Sequence, residues 1–188
     1  MEPNEILKTI SVKCNDNWDA MYHWILTKKD MTPELIEECR PYFDDIITIL
    51  DDEYPQEFKE NGFIPITFHY EGDLSILKKH KFVYLIGENT FGIEPEKIVF
   101  TDKENVVHFG TNLKIWCDKT DNAVTSLGIK MSKCVVITKV LNAKEYKELI
   151  HRNEKAIIYV VPTIEKSFNN KLIKEKKAKI IDSIDDIK

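Results

Sequence analysis

The chain has 188 residues, a formal net charge of −5, 43% hydrophobic residues and 31% charged residues. This composition supplies enough apolar material for a folded core and argues against wholesale disorder. The longest apolar runs, such as 156–161, are far shorter than the ~20 residues of a membrane-spanning helix. The N-terminus carries acidic residues where a secretory signal peptide needs a positive start and an apolar stretch. We therefore expect a cytoplasmic protein, and the length predicts one domain with at most a small appendage.

Charge and cysteine content narrow the class of protein further. Residues 1–60 carry 6 basic and 15 acidic side chains, whereas residues 61–188 carry 21 and 17, so a basic face is expected only in the second region. The asymmetry predicts a helical N-terminal domain, 1–52, and a second domain, 53–188. The four cysteines form no C-x-x-C pair, so we expect buried or half-buried free thiols rather than a zinc ribbon.

The N-terminal region is predicted to be helical. Asp16 or Asn17 can cap a helix that begins near Trp18, after which apolar residues follow the i, i+3, i+4, i+7 spacing. Thr32-Pro33 predicts a second helix start, with a capping hydroxyl and a proline at the first helical position. A third helix is predicted over 42–50, because apolar residues recur there on one side of a helix.

After residue 60 the sequence is typical of an α/β protein. Runs rich in β-branched and aromatic residues predict strands at 64–70, 82–86, 98–100, 113–117, 134–140 and 156–161. Helical patterns cover 142–152 and 164–173, and residues 180–181 predict a short edge strand. Continuous apolar strands that alternate with helices indicate a mainly parallel sheet covered on both faces.

The most specific stretch of the sequence lies between residues 53 and 87. Tyr54-Pro55 fixes an extended lead into a short amphipathic helix, and a strand follows from Pro65. Gly72-Asp73 predicts a turn, Leu74–Leu77 begins a short helical segment, and the strand 82–86 ends at a glycine. The order and spacing of this helix, strand, turn and second strand can be compared with the motifs of known families.

In order and spacing this stretch resembles the DNA-processing protein A (DprA/Smf) family. The family signature combines Tyr-Pro-x-x-Leu, Pro-x-x-Leu-Phe-x-x-Gly-Asp and a hydrophobic strand that ends in Val-Gly-Ser-Arg. The resemblance covers about residues 15–90. It implies an α/β, Rossmann-like domain preceded by a small helical domain. It also implies a protein that binds single-stranded DNA, loads a RecA-type recombinase and forms a homodimer through the Rossmann-like domain.

Beyond the strand 82–86 the sequence departs from the family. The family's Gly-Ser-Arg is replaced by Gly87-Glu88-Asn89, and the nearest counterpart of a later glycine-rich segment, 116–123, lacks the glycines. A glycine turn after a parallel strand lets backbone N–H groups approach a phosphate. Glu88 would place a negative charge near that position. The predicted phosphate-binding residues are Gly87, Asn89, Thr90 and Gly92 in the turn, with Lys78, Lys79 and Lys81 before the strand.

A second group of candidate residues follows the predicted strand 113–117. Asp118, Asp121 and Asn122 are candidates for contacts to ribose or another ligand, because ligands bind beyond the carboxyl ends of strands in open α/β sheets. A helix-capping role for Asp121 or Asn122 is an equal alternative.

No catalytic chemistry is assigned from the sequence. It has no Ser-containing nucleophile elbow, no H-E-x-x-H motif and no P-loop, and its five histidines are widely spaced. The resemblance implies a non-enzymatic DNA-binding protein, and we expect no metal or cofactor. Two alternatives stay open: sequestration of a nucleotide-derived signal by a degenerate pocket, in a mobile-element or defence setting, and a protein-interaction module that uses the acidic N-terminal domain.

Overall fold

The computed structural model describes residues 1–59, 64–102, 105–117, 123–152, 155–163 and 166–187. The helices are α1 (Pro3–Cys14), α2 (Trp18–Thr27), α3 (Pro33–Cys39), α4 (Gln56–Lys59), α5 (Ile76–Lys79), α6 (Ala123–Met131), α7 (Ala143–Arg152) and α8 (Phe168–Lys174). The strands are β1 (Ile46–Thr48), β2 (Thr67–Gly72), β3 (Phe82–Ile86), β4 (Ile98–Thr101), β5 (Val107–Phe109), β6 (Leu113–Trp116), β7 (Ser132–Ile137), β8 (Ile157–Val160) and β9 (Lys179–Ile180). Single 3₁₀ turns occupy Arg40–Tyr42, Pro95–Lys97 and Ile184–Asp186. None of the described helices has the length and apolar character needed to cross a membrane.

Within the described residues, nine strands form one mixed sheet in the order β1-β2-β6-β5-β4-β3-β7-β8-β9. Neighbours from β4 through β3, β7 and β8 to β9 are parallel. Neighbours from β1 through β2, β6 and β5 to β4 are antiparallel. The parallel core, linked by helices, confirms the predicted Rossmann-like α/β class. We call the edge where β3, β4, β7 and β8 begin the amino edge, and the edge where they end the carboxyl edge.

The two faces of the sheet are covered by different parts of the chain. The helical face packs against α4, α6, α7 and α8 around a core that includes Phe58, Phe82 and Leu127. Over the parallel half, the second face is covered by two segments without an α-helix, 88–97 and 181–187, of which the first contributes the buried Ile93. Over the antiparallel end, α1 and α2 cover this face at β2. Between these helices and segment 88–97 the face is partly accessible, as at Phe100 of β4.

Capping chemistry sets the predicted helix starts in the N-terminal region. The Asn17 side chain accepts a hydrogen bond from the backbone of Ala20 at 2.9 Å, and Thr32 accepts one from the backbone of Leu35 at 3.2 Å. Each bond satisfies one of the backbone N–H groups that the first turn of a helix leaves unpaired. The starts of α2 and α3 are therefore confirmed, while α1 is a further helix that the sequence pattern did not predict.

The prediction of a helix over 42–50 is wrong. After a 3₁₀ turn, β1 pairs antiparallel with β2, with Ile47 opposite Phe68. Ile46, Ile47 and Thr48 are all buried, so consecutive side chains face covered surfaces on opposite sides. A strand places consecutive side chains on opposite faces, so all three can be buried when both faces are covered. In a helix, three consecutive side chains would point in different directions around the helix axis.

The segment that resembles the DprA/Smf family forms part of the scaffold. The buried Tyr54 hydroxyl donates a hydrogen bond of 2.6 Å to the carbonyl of Pro65, and burial raises the pKa of Tyr54 so that the proton is retained. Gly72 has φ +115°, and a Cβ there would lie 1.9 Å from the carbonyl oxygen of Asn112. Asp73 accepts a hydrogen bond of 2.8 Å from the backbone of Ser75 at the start of α5. These residues hold the chain in place around β2.

Candidate functional site

The turn after β3 begins at Gly87, on the carboxyl edge of the sheet. Gly87 has φ +114°, and a Cβ there would lie 2.3 Å from Thr138 Oγ1 and 3.0 Å from the backbone nitrogen of Lys139. The Thr138 hydroxyl in turn donates to the carbonyl of Glu88 at 2.8 Å. Glycine is therefore required here because the end of β7 packs directly against the turn.

The rest of the turn uses its polar groups internally. Asn89 Nδ2 donates to the carbonyl of Ile93 at 2.7 Å, and the backbone N–H of Ile93 donates to Asn89 Oδ1 at 2.9 Å. The N–H of Thr90 donates to the carbonyl of Glu88 at 2.9 Å. Gly92 has φ +65°, and no heavy atom lies within 4 Å of a Cβ built there. Asn89 thus closes the loop with its amide oxygen and with one of the two N–H groups that a side-chain amide carries.

A groove of about 520 Å³ begins at this turn and runs along β4. We call it the β4 groove; its lining includes Gly87, Asn89, Pro95, Phe100, Thr111 and Lys139. Gly87 and Lys139 lie at the carboxyl edge, whereas Pro95 and Thr111 lie near the residue where β4 begins. The structure therefore joins two of the predicted turn residues to Phe100 and Thr111, which the sequence analysis did not select.

An exposed aromatic pair stands on the second face where β4 and β5 lie side by side. Phe100 is 41% exposed and stacks on His108, with ring centroids 4.5 Å apart and planes inclined by 9°. His108 Nε2 lies 3.3 Å from Asp102 Oδ2, which holds the imidazole in place. An exposed, flat and supported ring is the kind of surface on which an unpaired nucleobase stacks. Ile98, Val99 and Phe100 are all apolar, so no signal in the sequence separates the exposed Phe100 from its buried neighbours.

The charges around the β4 groove are mixed. Lys139 Nζ donates to Glu145 Oε1 at 3.0 Å, and Glu145 also accepts a hydrogen bond from the backbone of Asn142. The bonds from Asn142 and Lys139 lower the pKa of Glu145. Glu88 is exposed at the rim of the groove. Because an exposed ion pair contributes only about 0–1 kcal/mol, Lys139 can exchange Glu145 for a phosphate at little cost.

The predicted lysines lie at the opposite edge of the sheet from the turn. Lys78, Lys79 and Lys81 precede β3, while Gly87 follows it. Lys81 and Gly87 are six positions apart along an extended chain, which amounts to roughly 20 Å. The structure thus does not bring the lysines and the turn into one pocket.

The remaining sequence-predicted ligand contacts are Asp118, Asp121 and Asn122, which lie outside the described residues. Among the residues that the structure describes, no group of three or more His, Cys, Asp or Glu side chains is placed to hold a metal ion. None of the four cysteines forms a disulfide; Cys39 and Cys134 are buried and Cys14 and Cys117 are partly buried, which confirms the prediction of buried or half-buried thiols.

His69 links the N-terminal helices to the sheet. Its Nε2 lies 2.9 Å from Asp16 Oδ2, its Nδ1 lies 3.4 Å from Asp45 Oδ2, and its ring stacks on Trp116. Burial opposes the charged imidazole, but the two carboxylates outweigh burial and raise the pKa of His69. Burial likewise opposes the charge of Asp16, yet hydrogen bonds from His69 and Ser11 lower the pKa of Asp16. This cluster connects β2 and β6 of the sheet with the turn between α1 and α2 and with the residue before β1.

Comparison with solved structures places the fold. The chain superposes with a TM-score of 0.53 on DNA processing protein A (DprA) from Streptococcus pneumoniae, at 13% identity over 98% of this chain and 91% of that chain. The TM-score is 0.54 with DNA processing protein A from Helicobacter pylori, described as having a unique single-stranded DNA binding mode, at 17% identity over 76% of this chain and 93% of that chain. The sequence matches no protein-family model and no curated protein. The chain therefore has a DprA-like fold, as the motif in residues 53–87 predicts.

Proposed function

We propose that this chain binds single-stranded DNA, without catalysing a reaction on it, as part of DNA processing. The observation that carries the proposal is the exposed ring of Phe100, stacked on His108 in a groove that also contains Lys139. Proteins that hold single strands without sequence preference combine aromatic rings that stack on bases with cations that contact phosphates. The DprA-like fold and the single-stranded DNA binding mode of the Helicobacter pylori protein support the same ligand.

The geometry favours a single strand over a duplex and a modest affinity over a tight one. A base reaches the face of Phe100 only when it is unpaired and turned out of a helical stack. Stacking on an aromatic side chain contributes about 1–3 kcal/mol per base. Glu88 beside the groove and the net charge of −5 act against a polyanion, which keeps the affinity modest. Each phosphate contact that does form releases counterions, so binding should weaken as salt rises.

We extend the proposal to recombination as its biological setting. In this role the chain acts in the cytoplasm as a homodimer and passes the bound strand to a RecA-type recombinase. This extension depends on the fold likeness alone. Light scattering of the chain in solution measures the dimer, and a pull-down with a RecA-type recombinase in the presence of single-stranded DNA measures the transfer partner.

Fluorescence anisotropy with a labelled oligothymidylate tests the binding site. Phe100→Ala should weaken binding by about tenfold or more, because one stacked base is lost. Lys139→Ala should lower the slope of log affinity against log salt by about 0.7, the value for one phosphate contact on a single strand. Tyr42→Ala is the matched control, because Tyr42 is an exposed aromatic residue on the N-terminal region, 63% accessible.

Two results would overturn the proposed function. The first is an unaltered chain that does not bind the oligonucleotide at low salt. The second is a Phe100→Ala variant that binds as tightly as the unaltered chain. A chain that is thermally stabilised by a mononucleotide yet ignores the oligonucleotide would point instead to the alternative of a nucleotide-derived ligand, which the comparisons do not support.

A further inference from the structure

A second concavity lies at the amino edge of the parallel strands, on the same face as the β4 groove. It has a volume of about 480 Å³ and lies between segment 88–97 and the 3₁₀ turn Ile184–Asp186. We call it the amino-edge cleft. Its basic lining residues are Lys79, His80, Lys81, Lys97 and Lys133, and an apolar floor that includes Ile93 supports them.

The cleft is cationic in a chain that is acidic overall. Glu94 is the acidic residue in its described lining, and it pairs with Lys97. Among the described residues, no carboxylate oxygen lies within ion-pair distance of the Lys81 or Lys133 ammonium group. Uncompensated charges of one sign in a concave surface focus the electrostatic potential and raise the local concentration of anions.

A bulge in the sheet places Lys133 in this cleft. Phe82 of β3 pairs with Ser132 and Val83 pairs with Cys134, so Lys133 is an extra residue between two consecutive pairs. In a regular strand Lys133 would share the face of Val135, which is buried under the helices. Bulges are rare between parallel strands, and they redirect the side chain of the extra residue. The bulge therefore turns the Lys133 side chain away from the helical face, which distinguishes Lys133 from a lysine on a regular surface strand.

The amino-edge cleft continues from the β4 groove. The 3₁₀ turn Pro95–Lys97 separates them, with Pro95 lining the groove and Lys97 lining the cleft. Lys97, Lys81 and Lys133 stand at the beginnings of β4, β3 and β7, which are neighbours in that order. Neighbouring strands lie about 4.8 Å apart, so the three lysines form a row across the edge.

We infer that the amino-edge cleft is a second phosphate-binding surface, over which a single strand continues after leaving the β4 groove. The inference rests on the proposed function, since it takes the same polynucleotide as its ligand. The groove supplies base stacking and the cleft supplies phosphate contacts, which explains why the basic residues and the glycine turn lie on opposite edges of the sheet.

Strand length separates the two surfaces in a binding experiment. An oligothymidylate of two nucleotides is short enough to occupy the groove alone, because even stacked nucleotides rise about 3.4 Å each and the two edges of the sheet lie roughly 20 Å apart. One of about 30 nucleotides reaches both surfaces. The double variant Lys81→Glu/Lys133→Glu should bind the short strand within about twofold of the unaltered chain, because charges beyond about 8 Å are screened at physiological salt. It should bind the long strand about tenfold more weakly, with a salt slope lower by about 1.4 for two lost phosphate contacts.

The matched control is Lys144→Glu/Lys147→Glu, which makes the same charge change on exposed positions of α7, a helix of the opposite face. Lys81→Gln/Lys133→Gln repeats the test without new negative charges, should charge reversal disturb the fold. Equal weakening by the cleft and control variants would overturn the inference, because net charge alone would then explain the loss.

The remaining outcomes distinguish the inference from the proposed function. If the cleft variants bind the long strand as tightly as the unaltered chain and Phe100→Ala still weakens binding, the inference about the cleft is overturned and the proposed function stands. If the cleft variants abolish binding of the long strand and Phe100→Ala leaves it unchanged, the cleft is supported as a phosphate-binding surface and the β4 groove is overturned as the stacking site. Absence of binding by the unaltered chain to either length overturns both.

Discussion

The segment that resembles the DprA/Smf family, 53–77, and the turn that departs from it, 87–92, use their side chains differently. In the first, buried or tightly fitted residues such as Tyr54 and Gly72 fix the path of the chain. In the second, Asn89 closes an exposed loop on its own backbone, and the side chains of Glu88 and Thr90 are exposed. A match to residues that fix the path of the chain, as in 53–77, identifies the fold. The exposed residues of the turn 87–92 can change without loss of the fold, so a match or mismatch there bears on ligand binding instead.

The strongest test of this comparison substitutes a glycine in each segment. Gly72→Ala should lower the free energy of unfolding by about 2–4 kcal/mol, because the new Cβ meets a backbone carbonyl and the residue has positive φ. Gly92→Ala should cost about 1–2 kcal/mol, since only the left-handed conformation is strained there. Urea denaturation measures both, and equal losses would contradict the distinction between the segments.

A second test removes one buried hydroxyl. Tyr54→Phe leaves the Pro65 carbonyl without its partner and should lower the free energy of unfolding by about 1–2 kcal/mol. Tyr42→Phe, which removes an exposed hydroxyl, should change stability by no more than about 0.5 kcal/mol. If the two variants were equally stable in urea, Tyr54 would not be the structural residue that its contacts indicate.

A third test concerns the turn itself. Asn89→Ala removes both hydrogen bonds to Ile93 and should cost about 1 kcal/mol or less, because the loop is exposed and water replaces the lost partners. The amide of Ile93 should exchange with solvent faster, while the buried amide of Val160 in β8 should be unaffected. Unchanged exchange at Ile93 would mean that the Asn89 side chain does not hold the turn closed.

The smallest expected effect is the pH dependence of the contact between β2 and the N-terminal helices. The raised pKa of His69 means that its contribution is fully present below the unfolded value of about 6.5 and is lost as pH rises through the folded value. The lowered pKa of Asp16 means that its contribution is present above about 3.9 and is lost as pH falls through the folded value. The pair therefore stabilises the fold most between about pH 4 and 6.5.

Thermal unfolding across pH 5 to 9 checks this expectation. His69→Gln should flatten the decline in stability above about pH 6.5, while His23→Gln, a change at an exposed histidine of α2, should leave the profile as it is. An unaltered decline in the His69→Gln variant would assign the pH dependence to other groups.

Much of the fold follows from local patterns in the sequence. Strand β3 occupies the predicted residues 82–86, and Asn142 caps α7 by accepting hydrogen bonds from the backbones of Lys144 and Glu145. Strand β5 was not predicted, because it is three residues long and His108 interrupts its apolar character. Local patterns fail where an element is too short to show a period.

The candidate site depends on information that local patterns do not contain. Lys81 and Gly87 are close in sequence, yet the direction of β3 places them on opposite edges of the sheet. Phe100 is apolar and lies in a predicted strand, so its exposure follows only from the path of segment 88–97 across the second face. The bulge at Lys133 likewise depends on the register between β3 and β7, which pairs residues distant in sequence.

The order of the strands has a consequence for how the chain reaches its final structure. The connection 73–81 joins β2 to β3, yet β6, β5 and β4 lie between them in the sheet. The three intervening strands form a meander of local contacts, which we expect to assemble early and to enter the gap as a unit, because short-range pairings close at a lower entropic cost. Until it does so, β2 and β3 both present unpaired backbone, so conditions that slow this insertion should promote self-association of nascent chains.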